Sequence, residues 1–415
     1  MASSAEDAGA VVQPAPNGTG GGPPSAGALP PDAVPVGAVP GGAVPGGTVP
    51  PGAVPGGAVL GGTPLRPVAP GSGLRDPEPT ASIPSGPVPP GPEVTDQKAL
   101  HERLARKFDE VVANVGAAYV GRIETVRLAL CCLMAEGHLL VEDHPGVGKT
   151  TLAKALARSL GLGFGRVQFT ADLLPADVTG AMVFDRDSGR VSFRPGPVFT
   201  NVLLADELNR ASPKAQSALL ESMEERQVST DGVSHLLPRP FMVLATQNPF
   251  DAAGTFPLPH SQRDRFLLRI SLGYPDRAAE DLLLASTSSR PTPESLPSVC
   301  GPRFLASFAD AVRHVFVAPE LRGYVLDLVH ETRDHPDLTV GASPRATLAL
   351  LRAAGALAVS SGRNYITPDD VKVVAEPALG HRVLVHPAAE LAGVTPSATI
   401  AEIVSRIVVP VRVHR

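Results

Sequence analysis

Residues 143–150 read Asp143-His144-Pro145-Gly146-Val147-Gly148-Lys149-Thr150, and residues 201–207 read Asn201-Val202-Leu203-Leu204-Ala205-Asp206-Glu207. Their order and separation constrain the fold more than any other feature. The short run 138–142 stops at the glycine-rich loop, and apolar residues at 152, 153, 156, 157 and 160 follow it at helical spacing. Gly161 is placed to stop that helix. The loop therefore joins a strand to a helix. The second segment is a buried strand by composition and ends in two acids. Carboxylates at the C-terminal end of a parallel strand stand where α/β proteins bind ligands. An α/β sandwich around a parallel sheet follows.

The residue types point to a nucleoside triphosphate. Several negative charges in a small volume need backbone N–H groups turned inward and the positive end of a helix. Gly146 and Gly148 allow the tight backbone, and His144, Pro145, Val147 and Thr151 complete the cradle. Lys149 is placed to reach the terminal phosphates of ATP, and Thr150 to offer its hydroxyl to Mg²⁺. Asp206 is expected to hold Mg²⁺ through water, and Glu207 to orient and deprotonate an attacking water. The loop departs from the G-x-x-x-x-G-K-[ST] pattern at its first position, where Asp143 replaces glycine.

Composition divides the 415 residues near position 95. Of the 86 Gly and Pro residues, 42 fall in the first 95, and a five-residue Ala-Val-Pro-Gly-Gly period runs through 33–64. Such a segment has too little apolar and aromatic surface to offset its chain entropy, so 1–95 is expected to be a disordered tail or tether. No basic residue precedes Arg66, which argues against a signal peptide, and a cytoplasmic protein without a membrane span is expected. The three cysteines have neither disulfide-framework nor metal-site spacing. A net charge of −5 with interspersed signs and no tryptophan argues against a nucleic-acid binder.

The remainder falls into a core, 96–275, and an all-helical lid domain, 276–415. Helices are expected over 97–113 and 124–136, and hairpins near Asp187-Ser188-Gly189 and Asp231-Gly232. Ser212-Pro213 caps a further helix, and the strand 241–246 ends at Asn248, placed to touch a γ-phosphate or its attacking water. Arg265 precedes the strand 267–270. Arg345 sits in the first turn of a helix capped by Ser343-Pro344, where its charge opposes the helix dipole. A phosphate ligand would explain that mismatch.

Longer stretches carry a resemblance: QFTADLLPADVTG (168–180), FRPGPVF (193–199), LLADELNRA (203–211), QSALLESMEERQV (216–228), LATQNP (244–249), GTFPLP (254–259) and GASPRA (341–346). Over 97–410 the chain resembles the MoxR family of AAA+ ATPases, in the helix-2-insert clade, and is similar to the magnesium chelatase motor subunit. The resemblance implies a Walker A motif with Lys149 and Thr150, a Walker B motif with Asp206 and Glu207, Asn248 as sensor 1 and Arg345 as sensor 2. It implies an arginine finger at Arg265, with Arg263 as the competing candidate, and places Gly121 near the adenine. It further implies a homo-hexameric ring, a von Willebrand factor A domain partner, and ATP turnover spent on remodelling or activating client proteins or on cofactor or metal insertion. The alternative is a nucleotide-dependent scaffold with little turnover.

Overall fold

A computed structural model describes residues 94–187, 189–248, 254–285 and 290–410. Residues 1–93 of the Gly/Pro-rich tail, expected to be disordered, lie outside the described residues, and positions 94 and 95 already belong to a helix.

Two helices come first, α1 (Val94–Ala118) and α2 (Ile123–Met134). Strand β1 (Leu139–Glu142) leads through the glycine loop into α3 (Lys149–Ser159), and β2 (Phe164–Gln168) follows. Helix α3 stops where its sequence requires: Gly161 takes φ +64°, a left-handed conformation that costs glycine nothing. Next come α4 (Pro175–Thr179) and the hairpin β3 (Gly180–Asp185) and β4 (Arg190–Pro195). The core continues through β5 (Val202–Asp206), α5 (Pro213–Glu225), a second hairpin β6 (Gln227–Thr230) and β7 (Val233–Leu236), β8 (Met242–Gln247), α6 (His260–Arg263) and β9 (Leu268–Ile270). The second hairpin turns on Asp231 and Gly232, both at positive φ, as the twist of a two-residue connection demands.

Five strands form one parallel sheet in the order β2-β5-β8-β1-β9. Period-two alternation sorts its side chains into two cores. Leu139, Val141, Val202, Leu204, Met242 and Leu244 face one layer. Leu140, Leu203, Ala205, Val243 and Ala245 face the other, with α5. The chain is an α/β sandwich with its glycine loop at the C-terminal edge of the sheet.

The region expected to form the lid holds α7 (Arg277–Ala285), α8 (Pro302–Arg313), α9 (Pro319–Asp334), α10 (Pro344–Ser360), α11 (Pro368–Leu379), α12 (Pro387–Leu391) and α13 (Pro396–Arg406). Among its described residues the β pairing is one short antiparallel ladder between β10 (Leu338–Val340) and β11 (Leu384–Val385) and an isolated parallel bridge between Phe316 and Tyr365. Ser343 caps α10 by accepting the Ala346 N–H at 3.2 Å. The apolar face of α10 packs on α1, α2, α8 and α11, so the first core runs from the sheet into the lid without a break. Truncating a fully buried side chain there, such as Leu350→Ala, costs about 2–5 kcal/mol. Polar contacts fix the docking. Arg269 on β9 reaches Glu142, Ser397 and Glu376, and the buried Arg382 pairs with Asp264 at 2.8 Å.

Candidate active site

Gly146 and Gly148 stand at φ +84° and +91°, so the loop needs glycine at both positions. Tyr119, just past α1, wedges between two glycines. A Cβ on Gly148 would come within 3.2 Å of its ring, and one on Gly121 within 2.4 Å of its hydroxyl. That packing sets the 119–122 segment beside the loop. Burial first, then the charge of Asp143, pushes the Tyr119 phenol up to about 12.

Asp143 is buried and acts as an acceptor for the exit of β9. Its carboxylate takes the backbone N–H groups of Leu272 and Gly273 and the hydroxyl of Ser271. One residue on, the ring of His144 stacks on Tyr274 with centroids 5.2 Å apart. The loop is thereby tied to the segment that leaves the core for the lid.

Lys149 donates from Nζ to the main-chain carbonyl of Asp143 at 2.7 Å. Burial pulls its ammonium below the ordinary value, and the charges of Asp143, Asp206 and Glu207 push it back up. Asp206, at the end of β5, accepts the Thr246 hydroxyl on Oδ1 at 2.7 Å and Arg166 on Oδ2 at 2.6 Å. Glu207 follows at φ +56°, a strained conformation for a side chain of its size. Its N–H donates to Thr246 Oγ1 at 2.9 Å, and its carboxylate meets Arg210 at 3.1 Å. Buried Gln216 holds the following turn by donating to the carbonyls of Leu208 and Ala211. Asn248 stands just past β8, between the ends of β5 and β1, and residues 249–253 beside it lie outside the described residues. The Thr150 hydroxyl and Asp206 carboxylate are hard oxygen donors of the kind Mg²⁺ takes alongside water and phosphate oxygens.

Arg265 and Arg345 are elsewhere. Arg265 precedes β9, which runs parallel to β1, so it lies at the N-terminal edge of the sheet, opposite the glycine loop. There Glu224 receives both guanidiniums, Arg265 at 3.0 Å and Arg345 at 2.8 Å. Within one chain Arg345, read from the sequence as part of the nucleotide site, stands at the edge of the sheet opposite the glycine loop, where α10 begins. Arg263 points inward. Burial depresses its guanidinium, the Glu142 charge offsets part of that, and Arg269 adds to it.

The model of the ATPase family associated with various cellular activities (AAA) matches residues 138–268, and that of the AAA lid domain matches 330–403. The chain is 42% identical to the uncharacterised protein YeaC of Bacillus subtilis over 76% of its own length and 98% of that protein. It is 35% identical to the chaperone MoxR1 of Mycobacterium tuberculosis, over 81% and 90% of the two chains. The chain belongs to the MoxR family of AAA+ ATPases. The fold agrees: a crystal structure of a Cytophaga hutchinsonii protein described as an ATPase superposes with a TM-score of 0.72 at 34% identity, covering 77% of this chain and all of that one. Among the described residues no helix is long and apolar enough to cross a membrane.

Within this MoxR chain, sequence reasoning missed Thr246, Arg166 and Glu224. Thr246 reads as part of an apolar strand, and its one signal is a hydroxyl next to the strand end. Glu224 reads as one acid among several on an exposed helix face.

Proposed function

We propose that this chain hydrolyses ATP at sites shared between neighbouring subunits of a homo-hexameric ring. Turnover would remodel or activate client proteins, or assist cofactor or metal insertion. The observation that carries this reading is the division of charge between the two ends of one sheet. Lys149, Asp206 and Glu207 share the C-terminal edge, while Arg265 and Arg345 share the other. Head-to-tail packing of identical subunits would bring one edge against the next.

In that arrangement the backbone of 144–151 cradles the phosphates, and Gly121 with Tyr119 borders the base. Thr150 and Asp206 would hold Mg²⁺, which when bound neutralises charge on the β and γ oxygens. Glu207 takes a proton from the attacking water, and Asn248 holds that water or the γ-phosphate. Lys149 stabilises charge on the terminal oxygens. Arg265, with Arg345 beside it, answers the charge that develops in the transition state of the adjacent subunit. An arginine supplied in this way is worth roughly 10³–10⁵ in rate.

The hairpins are the surface proposed to pass motion to a client or to a von Willebrand factor A domain partner. They expose Val183, Phe184, Val191, Val233 and Leu236. Stacking of Phe193 on His235, 4.0 Å between centroids, joins the two hairpins.

ATP turnover per subunit, followed against protein concentration for the wild type and Glu207→Gln, tests the reading. Turnover that rises with concentration and vanishes in the variant is the expected result. Negligible turnover in both, with ATP still bound, would replace it with a nucleotide-dependent scaffold.

A further inference from the structure

A cavity of about 620 Å³ opens between the N-terminal ends of β1 and β9 and the lid helices α8 and α10. Six arginines and three carboxylates line it. Four of the arginines have acidic partners: Arg382 has Asp264, Arg313 has Glu136, and Arg265 and Arg345 share Glu224. Arg226 and Arg352 differ. Among the described residues each donates only to a main-chain carbonyl, Arg226 to Glu136 at 2.5 Å and Arg352 to Ala135. One terminal nitrogen of Arg226 is buried and has no hydrogen-bond partner among those residues.

The backbone adds a second observation. Arg226 is the C-cap of α5 at φ +53°, a left-handed conformation uncommon for a long side chain, and it lines this cavity. Burial holds its guanidinium below the ordinary value, the Glu136 charge offsets part of that, and Arg352 and Arg239 depress it further. Two neighbouring cations with no carboxylate in hydrogen-bond contact with either, in a half-enclosed space where Glu136 offsets only part of the burial, are costly until an anion joins them.

We propose that this cavity is an oxyanion site for a phosphate group, bound through Arg226 and Arg352. Planar guanidinium forks match phosphate oxygens in pairs. The phosphate has two possible sources. One is the nucleotide of an adjacent subunit, which rests on the shared-site reading and extends it beyond Arg265 and Arg345. The other is a free phosphoanion that binds a single subunit.

The probe is inorganic pyrophosphate, titrated calorimetrically into the full chain carrying Lys149→Ala, which removes the loop lysine. Saturable binding, weakened at least tenfold by added Arg226→Gln or Arg352→Gln, is expected for a free phosphoanion. For a neighbour's nucleotide, pyrophosphate does not bind. Arg226→Gln and Arg352→Gln, with Lys149 intact, then lower turnover per assembled subunit at least tenfold and leave ATP affinity of dilute subunits within twofold. If the wild type shows no turnover, the shared-site reading fails by itself and the pyrophosphate titration alone decides. Should one variant fail to melt like the wild type, the other position decides. Pyrophosphate binding indifferent to both substitutions, or no binding together with unchanged turnover, overturns the proposal.

Discussion

The Thr246 hydroxyl donates to Asp206 Oδ1 at 2.7 Å while accepting the backbone N–H of Glu207 at 2.9 Å. One side chain on β8 therefore holds the Asp206 carboxylate and the backbone of Glu207 at the end of β5. Thr246 is buried, so water does not compete for that hydroxyl.

Removing that hydroxyl separates positioning from binding. Hydrogen bonds to charged groups contribute about 1.5–3 kcal/mol. Thr246→Val is expected to lower turnover roughly ten- to a hundredfold, with ATP affinity changed only a few-fold. Thr246→Ser keeps the hydroxyl and should retain most of the activity. Steady-state rates and ATP titration of both variants check this. Equal losses in the two would mean that packing, not the hydroxyl, sets the site.

Asp143 replaces a glycine of the usual loop pattern, and its carboxylate closes backbone donors of Leu272 and Gly273. Leaving a buried N–H unsatisfied costs about 1–3 kcal/mol. Asp143→Ala should lower the urea-unfolding free energy by about that amount and weaken ATP binding, because the loop loses its tie to the segment behind it. Unchanged stability with normal ATP binding would show that water replaces the carboxylate at no cost.

Much of this was legible in the chain. The strands β1, β5 and β8 are short apolar runs with polar ends, and Asp231-Gly232 carries its own turn signal. Loop and carboxylate residues were readable because their chemistry needs particular side chains at fixed local spacing. The docking of the lid was not. It depends on Arg382 meeting Asp264 and Arg269 meeting Glu376, pairs separated by 118 and 107 positions. No local periodicity encodes such a pairing, so the helix cap at Ser343 was readable while the edge of the sheet that Arg345 reaches was not.

That docking is itself testable. The side chain of Arg382 is 2% exposed and its partner Asp264 15%, at 2.8 Å. Breaking a buried pair from one side costs about 3–5 kcal/mol, since the other charge stays buried. Lys107 and Glu110 meet at 2.6 Å, yet both lie in water, 35% and 54% exposed. Arg382→Ala should therefore destabilise by about 3–5 kcal/mol and Lys107→Ala by less than about 1 kcal/mol. Chemical denaturation of the two variants under one set of conditions makes the comparison. Similar losses would mean that the clasp is as solvated as the surface pair.

Acid should weaken the fold through His138. Its Nδ1 accepts the Val243 N–H at 3.0 Å and its other nitrogen meets the Met223 carbonyl at 3.1 Å, so the ring is held neutral. Burial first, then the charge of Arg226, lowers it from 6.5 to about 3, with the Met223 bond opposing and Arg352 assisting. The folded state thus refuses a proton that the unfolded chain accepts below about pH 6.5. Stability from this group is complete above that pH and is lost as pH falls toward 3. Between pH 6.5 and 5 the loss is about 2 kcal/mol. His381, also buried and depressed, acts in the same direction. Urea unfolding at pH 7.5 and 5.0 should show the decline in the wild type. In His138→Gln, less stable at pH 7.5, the further drop at pH 5.0 should shrink by about 2 kcal/mol. The same decline in both proteins would mean that His138 takes up its proton in the folded state.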